Sequence, residues 1–188
     1  MPKTTLIPLA AALALASALA ACTNPPRYTT EPPPSALRVQ TAARTVLVRD
    51  VSLPEYASSV EMAVEHDGGA VKNAGSALWA DEPVRGFSVA LAKALNTIAS
   101  ATVASEPWPL QGLPDAEVSV RVARGLAGAD GIYRLEGQYF ILSEIGRGGA
   151  TTFAIAVPTG GNSAERIATA QSAALGQLAE QIARSLGR

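Results

Sequence analysis

The sequence predicts an α+β fold: an antiparallel or mixed β-sheet with two α-helices packed on one face, in a single domain. Three observations carry this. β-Branched segments with a period of two occupy the middle of the chain, an apolar period of 3.6 residues appears twice, and the patterns run strands, helix, strands, helix. At 188 residues the chain can bury one ordinary core even after its first segment is set aside.

That first segment has the layout of an export signal. Lys3 is followed by an almost wholly apolar run, Leu6 to Ala21, closed by small residues. The run is about 16 residues, short of the roughly 20 that span a bilayer, and no charged stop follows it. Residues 1–21 are therefore expected to be removed. Leu19, Ala20 and Ala21 before Cys22 resemble the bacterial lipobox, where small residues admit the signal peptidase and the thiol is diacylated before cleavage. Cys22 is the single cysteine, so no intramolecular disulfide competes for it. Thr23 follows it in place of Asp, which by resemblance to the usual sorting pattern points to the outer membrane, facing the periplasm.

Residues 22–36 hold the lipidated Cys and a tether with Pro25, Pro26, Pro32, Pro33 and Pro34, a composition that buries little and stays extended. At about 3 Å per residue the tether would reach up to about 40 Å. The folded domain is then expected over residues 37–188.

Within it, Thr45 to Leu53 is β-branched and ends at Pro54, which reads as a strand. Val60 to Val64 and Ala70 to Lys72 read as two short strands joined by Asp67-Gly68-Gly69, where glycine supplies the positive φ of a hairpin turn. From Trp79 to Ala99 the period lengthens, with Val84, Phe87, Leu91, Leu95 and Ile98 on one stripe. Asp81 is placed to cap this helix, and Pro83 fits its first turn.

A Pro-bearing loop through Trp108 leads to Val118, Val120 and Val122, which alternate with polar residues as a half-buried strand does. Ile132 to Ser143 alternates likewise, and Gly146 to Gly149 turns the chain into Thr151 to Val157, completing a three-stranded meander. From Ser163 to Leu186 the apolar stripe Ile167, Ala170, Ala174, Leu178, Ile182, Leu186 predicts a long helix. Asn162 and Glu165 are placed as a capping pair, and Gly187 suits a left-handed end.

Chemistry is sparse. The formal charge is −1, with 15 Lys and Arg spread without a basic run, so nucleic acid is not an expected partner. His66 is the single histidine and sits by the hairpin, without the ligand set a metal needs or the partners a general base needs. No Gly-x-Ser-x-Gly elbow is present, and Gly146 to Gly149 lacks the Lys-Ser or Lys-Thr of a phosphate loop. No catalytic residue, metal or cofactor is therefore assigned. Trp79 is expected to pack between helix and sheet. Trp108, flanked by Pro107 and Pro109, is a candidate partner contact together with Leu110 and Leu113.

The stretches Val51-Ser52-Leu53-Pro54-Glu55-Tyr56 and Leu78-Trp79-Ala80-Asp81-Glu82-Pro83 resemble the auxiliary lipoproteins of ABC-type transport systems, the family that includes the paraquat-inducible protein C type. There the pattern is a strand ending Leu-Pro-x-Tyr and a Trp-Ala-x-x-Pro helix entry. The resemblance covers most of Arg44 to Leu186. It implies a non-catalytic, lipid-anchored component that docks with a lipid-transport assembly through its MCE-domain subunit, in a homo-oligomeric ring of several copies. The alternative is a structural or assembly lipoprotein of another envelope machine, for secretion or cell-wall synthesis.

Overall fold

The computed structural model describes residues 24–145 and 148–187. The expected leader, Leu19 to Ala21 and Cys22 lie outside the described residues, as do Gly146 and Arg147 of the predicted turn.

Eight strands form one mixed sheet. They are β1 (Arg27–Tyr28), β2 (Thr45–Val48), β3 (Glu61–Glu65), β4 (Val71–Trp79), β5 (Thr102–Ser105), β6 (Ala116–Ala127), β7 (Ile132–Ser143) and β8 (Gly149–Pro158). The helices are α1 (Glu55–Ser58), α2 (Pro83–Ile98) and α3 (Ala164–Leu186). β6, β7 and β8 form the predicted antiparallel meander. The far edge of β6 is shared. Its first residues pair in parallel with β2, while Ala127 near its end pairs with Val64 of β3. The sheet thus forks beyond β6, one branch running through β2 to β5 and the other through β3 to β4 and β1.

Both long helices cover one face. Val118 and Val120 of β6, Leu135 and Tyr139 of β7, and Phe153 of β8 are buried in one cluster with Leu91 and Leu95 of α2 and Leu175 and Leu178 of α3. Each such side chain contributes about 1.5–3 kcal/mol through removal from water. The Tyr139 hydroxyl lies 2.8 Å from Ser185 Oγ, linking α3 to the sheet. On the opposite face Arg121 and Gln138 are exposed, and the Arg121 guanidinium lies 5.2 Å from the centre of the Phe140 ring.

Several boundaries differ from expectation. β2 stops at Val48, and the chain returns to the sheet only at Ser52, which bridges to Arg121. Between them Val51 turns inward, its N–H donating to the buried Ser88 hydroxyl of α2 at 2.9 Å. β4 runs nine residues where three were expected, because its first half is exposed on both faces and so shows no alternation. Trp79 accordingly ends a strand instead of opening a helix. Asp81 does not cap α2. Glu82 does, accepting from the N–H groups of Val84 and Arg85, while Asp81 pairs with Arg85. α3 is capped by Ser163, whose hydroxyl accepts from the Arg166 N–H, so the Asn162 and Glu165 pair is not used. Gly187 has φ −87°, not a left-handed value. Glycine is needed there for room: a Cβ would lie 2.5 Å from Val39 Cγ1. β5 had no counterpart in the sequence reading, since four residues are too few to show a period.

The turn from β6 to β7 carries a pH-sensitive clamp. Asp130 accepts two hydrogen bonds from the Arg134 guanidinium, at 3.0 and 2.5 Å, and one from the Ile132 N–H. Arg134 above all holds the Asp130 carboxyl down to about 2. A carboxylate whose folded value is depressed stabilises the fold above its unfolded value and loses that contribution as pH falls toward the folded one. The urea midpoint is therefore expected to fall between about pH 4 and pH 2, and to fall less steeply in Asp130→Asn. Equal slopes in the two proteins would remove Asp130 from the account.

Candidate functional site

The Pro-rich segment is folded onto the domain. β1 lies parallel to the end of β4, with Arg27 opposite Leu78 and Tyr28 opposite Trp79. The chain then follows α3. The Glu31 N–H donates to Ser172 Oγ at 3.0 Å, Gln171 donates to Thr30 Oγ1 at 3.1 Å, and the Ser35 hydroxyl donates to Glu180 at 2.6 Å. Ser172, Gly176 and Glu180 are four apart and lie in one line along the helix. At the middle of that line a Cβ on Gly176 would sit 3.5 Å from the Pro33 ring. An extended Pro-rich chain has free backbone groups and little entropy to lose, so a few side-chain partners suffice to hold it. Where a tether over residues 22–36 and a domain start at residue 37 were expected, residues 27–35 are held against the domain. Only residues 23–26 separate Cys22 from β1, so the five steps from Cys22 to Arg27 reach at most about 17 Å at about 3.3 Å per residue.

Beneath this strap, between α2, α3 and the sheet, lies a cavity of about 750 Å³. Its cause is the small residues that face it. Gly86, Ala90 and Ala94 on α2 and Ala173 and Gly176 on α3 line it, leaving a space that larger side chains would fill. Leu53, Val122 and Leu135 also line it, along with Trp79 and Phe87. One polar chain crosses from sheet to strap. The Tyr133 hydroxyl donates to Gln171 Oε1 at 2.9 Å, and Gln171 in turn donates to Thr30. Burial pushes the Tyr133 phenol well above its ordinary value, so it remains a neutral donor throughout the physiological range.

Lys93 also lines the cavity, is exposed, and makes no ion pair among the described residues. Of the carboxylates lining it, Asp81 is paired with Arg85, and Glu180 with Arg184 and the Ser35 hydroxyl. Those two partners hold the Glu180 carboxyl below its usual range, Ser35 most strongly. Glu31 has no ion-pair partner among the described residues.

A second feature occupies the other end of the sheet. Leu113 is 92% exposed and Leu110 43%, while Trp108 is half-buried and its indole N–H donates to the Gly112 carbonyl at 3.1 Å. Both ends of this loop are anchored. Arg49 reaches Glu106 at 2.8 Å and Glu117 at 2.7 Å, and the Asp115 carboxylate accepts from the Arg44 and Thr45 N–H groups. Glu106 and Asp115 are each held below the ordinary carboxylate range, Glu106 chiefly by the Asp50 N–H, which donates to it at 2.9 Å, and Asp115 chiefly by the Arg44 N–H. Leu142 and Ile145, at the close of β7, add further exposed apolar surface at this end. Of the predicted partner residues, Leu110 and Leu113 are thus displayed, and Trp108 serves mainly to brace them.

Other residues singled out by sequence fall into quieter places. His66 is exposed and precedes the 3₁₀ turn Asp67–Gly69. Among the described residues no group of three or more His, Cys, Asp or Glu gathers as a metal site requires. The cavity was not found from sequence. Its signal was the line Gly86, Ala90, Ala94, which reads equally as ordinary helix packing.

Comparison with known proteins follows the same outline. The family model described as ABC-type transport auxiliary lipoprotein component matches residues 28–183. No curated protein matches the chain. A crystal structure of an uncharacterized protein is similar with a TM-score of 0.66 at 17% identity, covering 84% of this chain and 98% of the other. A crystal structure of a Xanthomonas campestris protein of family DUF330 is similar with a TM-score of 0.66 at 18% identity, covering 86% of this chain and 93% of the other. At such identities the likeness is one of fold.

Proposed function

Because the chain belongs to the family of ABC-type transport auxiliary lipoprotein components, we propose that it is a periplasmic docking subunit, anchored by lipid on Cys22 to the outer membrane. As a member of that family it is an auxiliary part of an ABC-type transport system and a membrane-anchored envelope protein. Among the described residues no helix is long and apolar enough to cross a membrane. The proposed partner is the MCE-domain subunit of an intermembrane lipid-transport assembly, met by a ring of several copies of this chain. The role is non-catalytic.

The observation that carries this reading is the anchored loop that displays Leu110 and Leu113. A leucine 92% exposed gains nothing for the fold, and loop ends clamped by Arg49 and Asp115 limit the entropy lost when a partner covers it. An apolar side chain already held in place adds buried area at an interface with little ordering cost.

Co-purification from envelope membranes in mild detergent tests the proposal. The full-length protein is expected to recover the MCE-domain subunit. Leu113→Asp is expected to reduce recovery at least tenfold while leaving the melting temperature within about 1 °C, since surface changes seldom move stability by more than about 0.5 kcal/mol. Failure of the unaltered protein to recover that subunit would overturn the docking role, and full recovery with Leu113→Asp would overturn the assigned contact.

A further inference from the structure

We propose that the cavity under the Pro-rich strap is a phospholipid site: one acyl chain lies between α2 and α3, with its phosphate at Lys93. This goes beyond docking, since it makes the domain itself a lipid binder. The size fits, for about 750 Å³ is within the roughly 300–1,000 Å³ usual for ligand sites. The shape fits an extended chain. Residues of α2 from Pro83 to Ile98 line it, about 22 Å of helix at about 1.5 Å per residue.

Chemistry sorts the two parts of the ligand. Leu53, Phe87 and Leu135 offer apolar surface that suits a hydrocarbon, and the polar Tyr133 and Gln171 beside them are already bonded, Tyr133 to Gln171 and Gln171 to Thr30. At the lip, Val89 is 40% exposed, so apolar lining continues out to solvent as an entering chain requires. Lys93 is the lining cation without an ion-pair partner, and Glu31 the lining carboxylate without one. That pair of charges matches the phosphate and amine of a zwitterionic headgroup. Asp81 and Glu180 are neutralised by Arg85 and Arg184 and so do not repel the phosphate.

The strap fixes access. It closes one side of the cavity through three side-chain contacts, to Gln171, Ser172 and Glu180, and it begins within about 17 Å of Cys22 by chain length.

Photo-crosslinking in living cells tests the assignment without any transport partner. Benzoylphenylalanine is introduced into the full-length chain at Val89, at Ala94, and at the exposed Gln138 on the opposite sheet face, in cells grown with radiolabelled phosphate. After illumination, a labelled lipid adduct is expected at Val89 and Ala94 at least tenfold above Gln138. Adding Lys93→Glu or Ala90→Phe to the Val89 probe is expected to lower the label several-fold, with resistance to protease retained. Equal labelling at all three positions, or none at Val89 and Ala94 in protease-resistant protein, would overturn it. So would an unlabelled adduct to the acyl groups on Cys22, which carry no phosphate and would assign the cavity to the anchor. Because the readout is independent of the MCE-domain subunit, failure here leaves the docking test untouched, and the reverse holds as well.

Discussion

Gly137→Ala is expected to destabilise the fold by about 3 kcal/mol or more, at the upper end of what overpacking costs. Gly137 faces Val122 across the β6–β7 pair, beside the bulge between Val122 and Arg124. A Cβ there would lie 2.1 Å from the Arg121 carbonyl oxygen, 3.0 Å from Phe153 Cζ and 3.0 Å from Val122 Cα. Two of these three obstacles are backbone, so no rotamer change relieves them, and the longest strand pair must open. Urea unfolding measures the loss. Gly149→Ala, at the start of β8, is the control, because a Cβ at that position meets nothing within 4 Å. Similar midpoints for the two variants would show that the bulge tolerates a side chain and that the close approach is not a constraint.

Cys22→Ala is expected to remove the chain from the outer membrane altogether. A lipobox-type leader is cut only after the thiol is acylated, so the variant should keep residues 1–21 and be held, if at all, by that apolar segment. Two or more acyl chains give lasting attachment where one gives only reversible binding, so no intermediate distribution is anticipated. Density-gradient separation of the membranes, with intact-mass measurement of the recovered protein, checks both parts. An unaltered protein with an unmodified Cys22 thiol, or a variant still in the outer-membrane fraction at the mature mass, would overturn the anchor. The docked strap sharpens the consequence. With β1 starting at Arg27, an anchored domain would sit against the membrane and not tens of ångströms away.

The meander and the two long helices were legible in the sequence for a common reason. β7 was read with its observed limits, Ile132 to Ser143, because alternation persists along it and one face is wet. α3 was legible because its apolar stripe holds for 23 residues. β6 was legible only to Val122. Past the bulge the alternation of 118, 120 and 122 breaks, and Leu126 and Ala127 are buried as neighbours, so the segment no longer looks like one strand. β1 and β5 pair in parallel with segments distant in sequence, so nothing local announces them.

What the sequence by itself determined is the plan of the molecule: an expected leader and anchor cysteine, an α+β order, the core faces of the long elements, and an exposed apolar loop around Leu113. Each follows from local composition or period, which a linear reading can see. Only the tertiary structure decided that the Pro-rich segment is a strap, that β6 forks the sheet, and that small residues on α2 and α3 enclose a cavity. Those depend on which distant segments meet. Ser172, Gly176 and Glu180 become a seat for Pro33 only once α3 is packed, and that pairing has no period of its own in the chain.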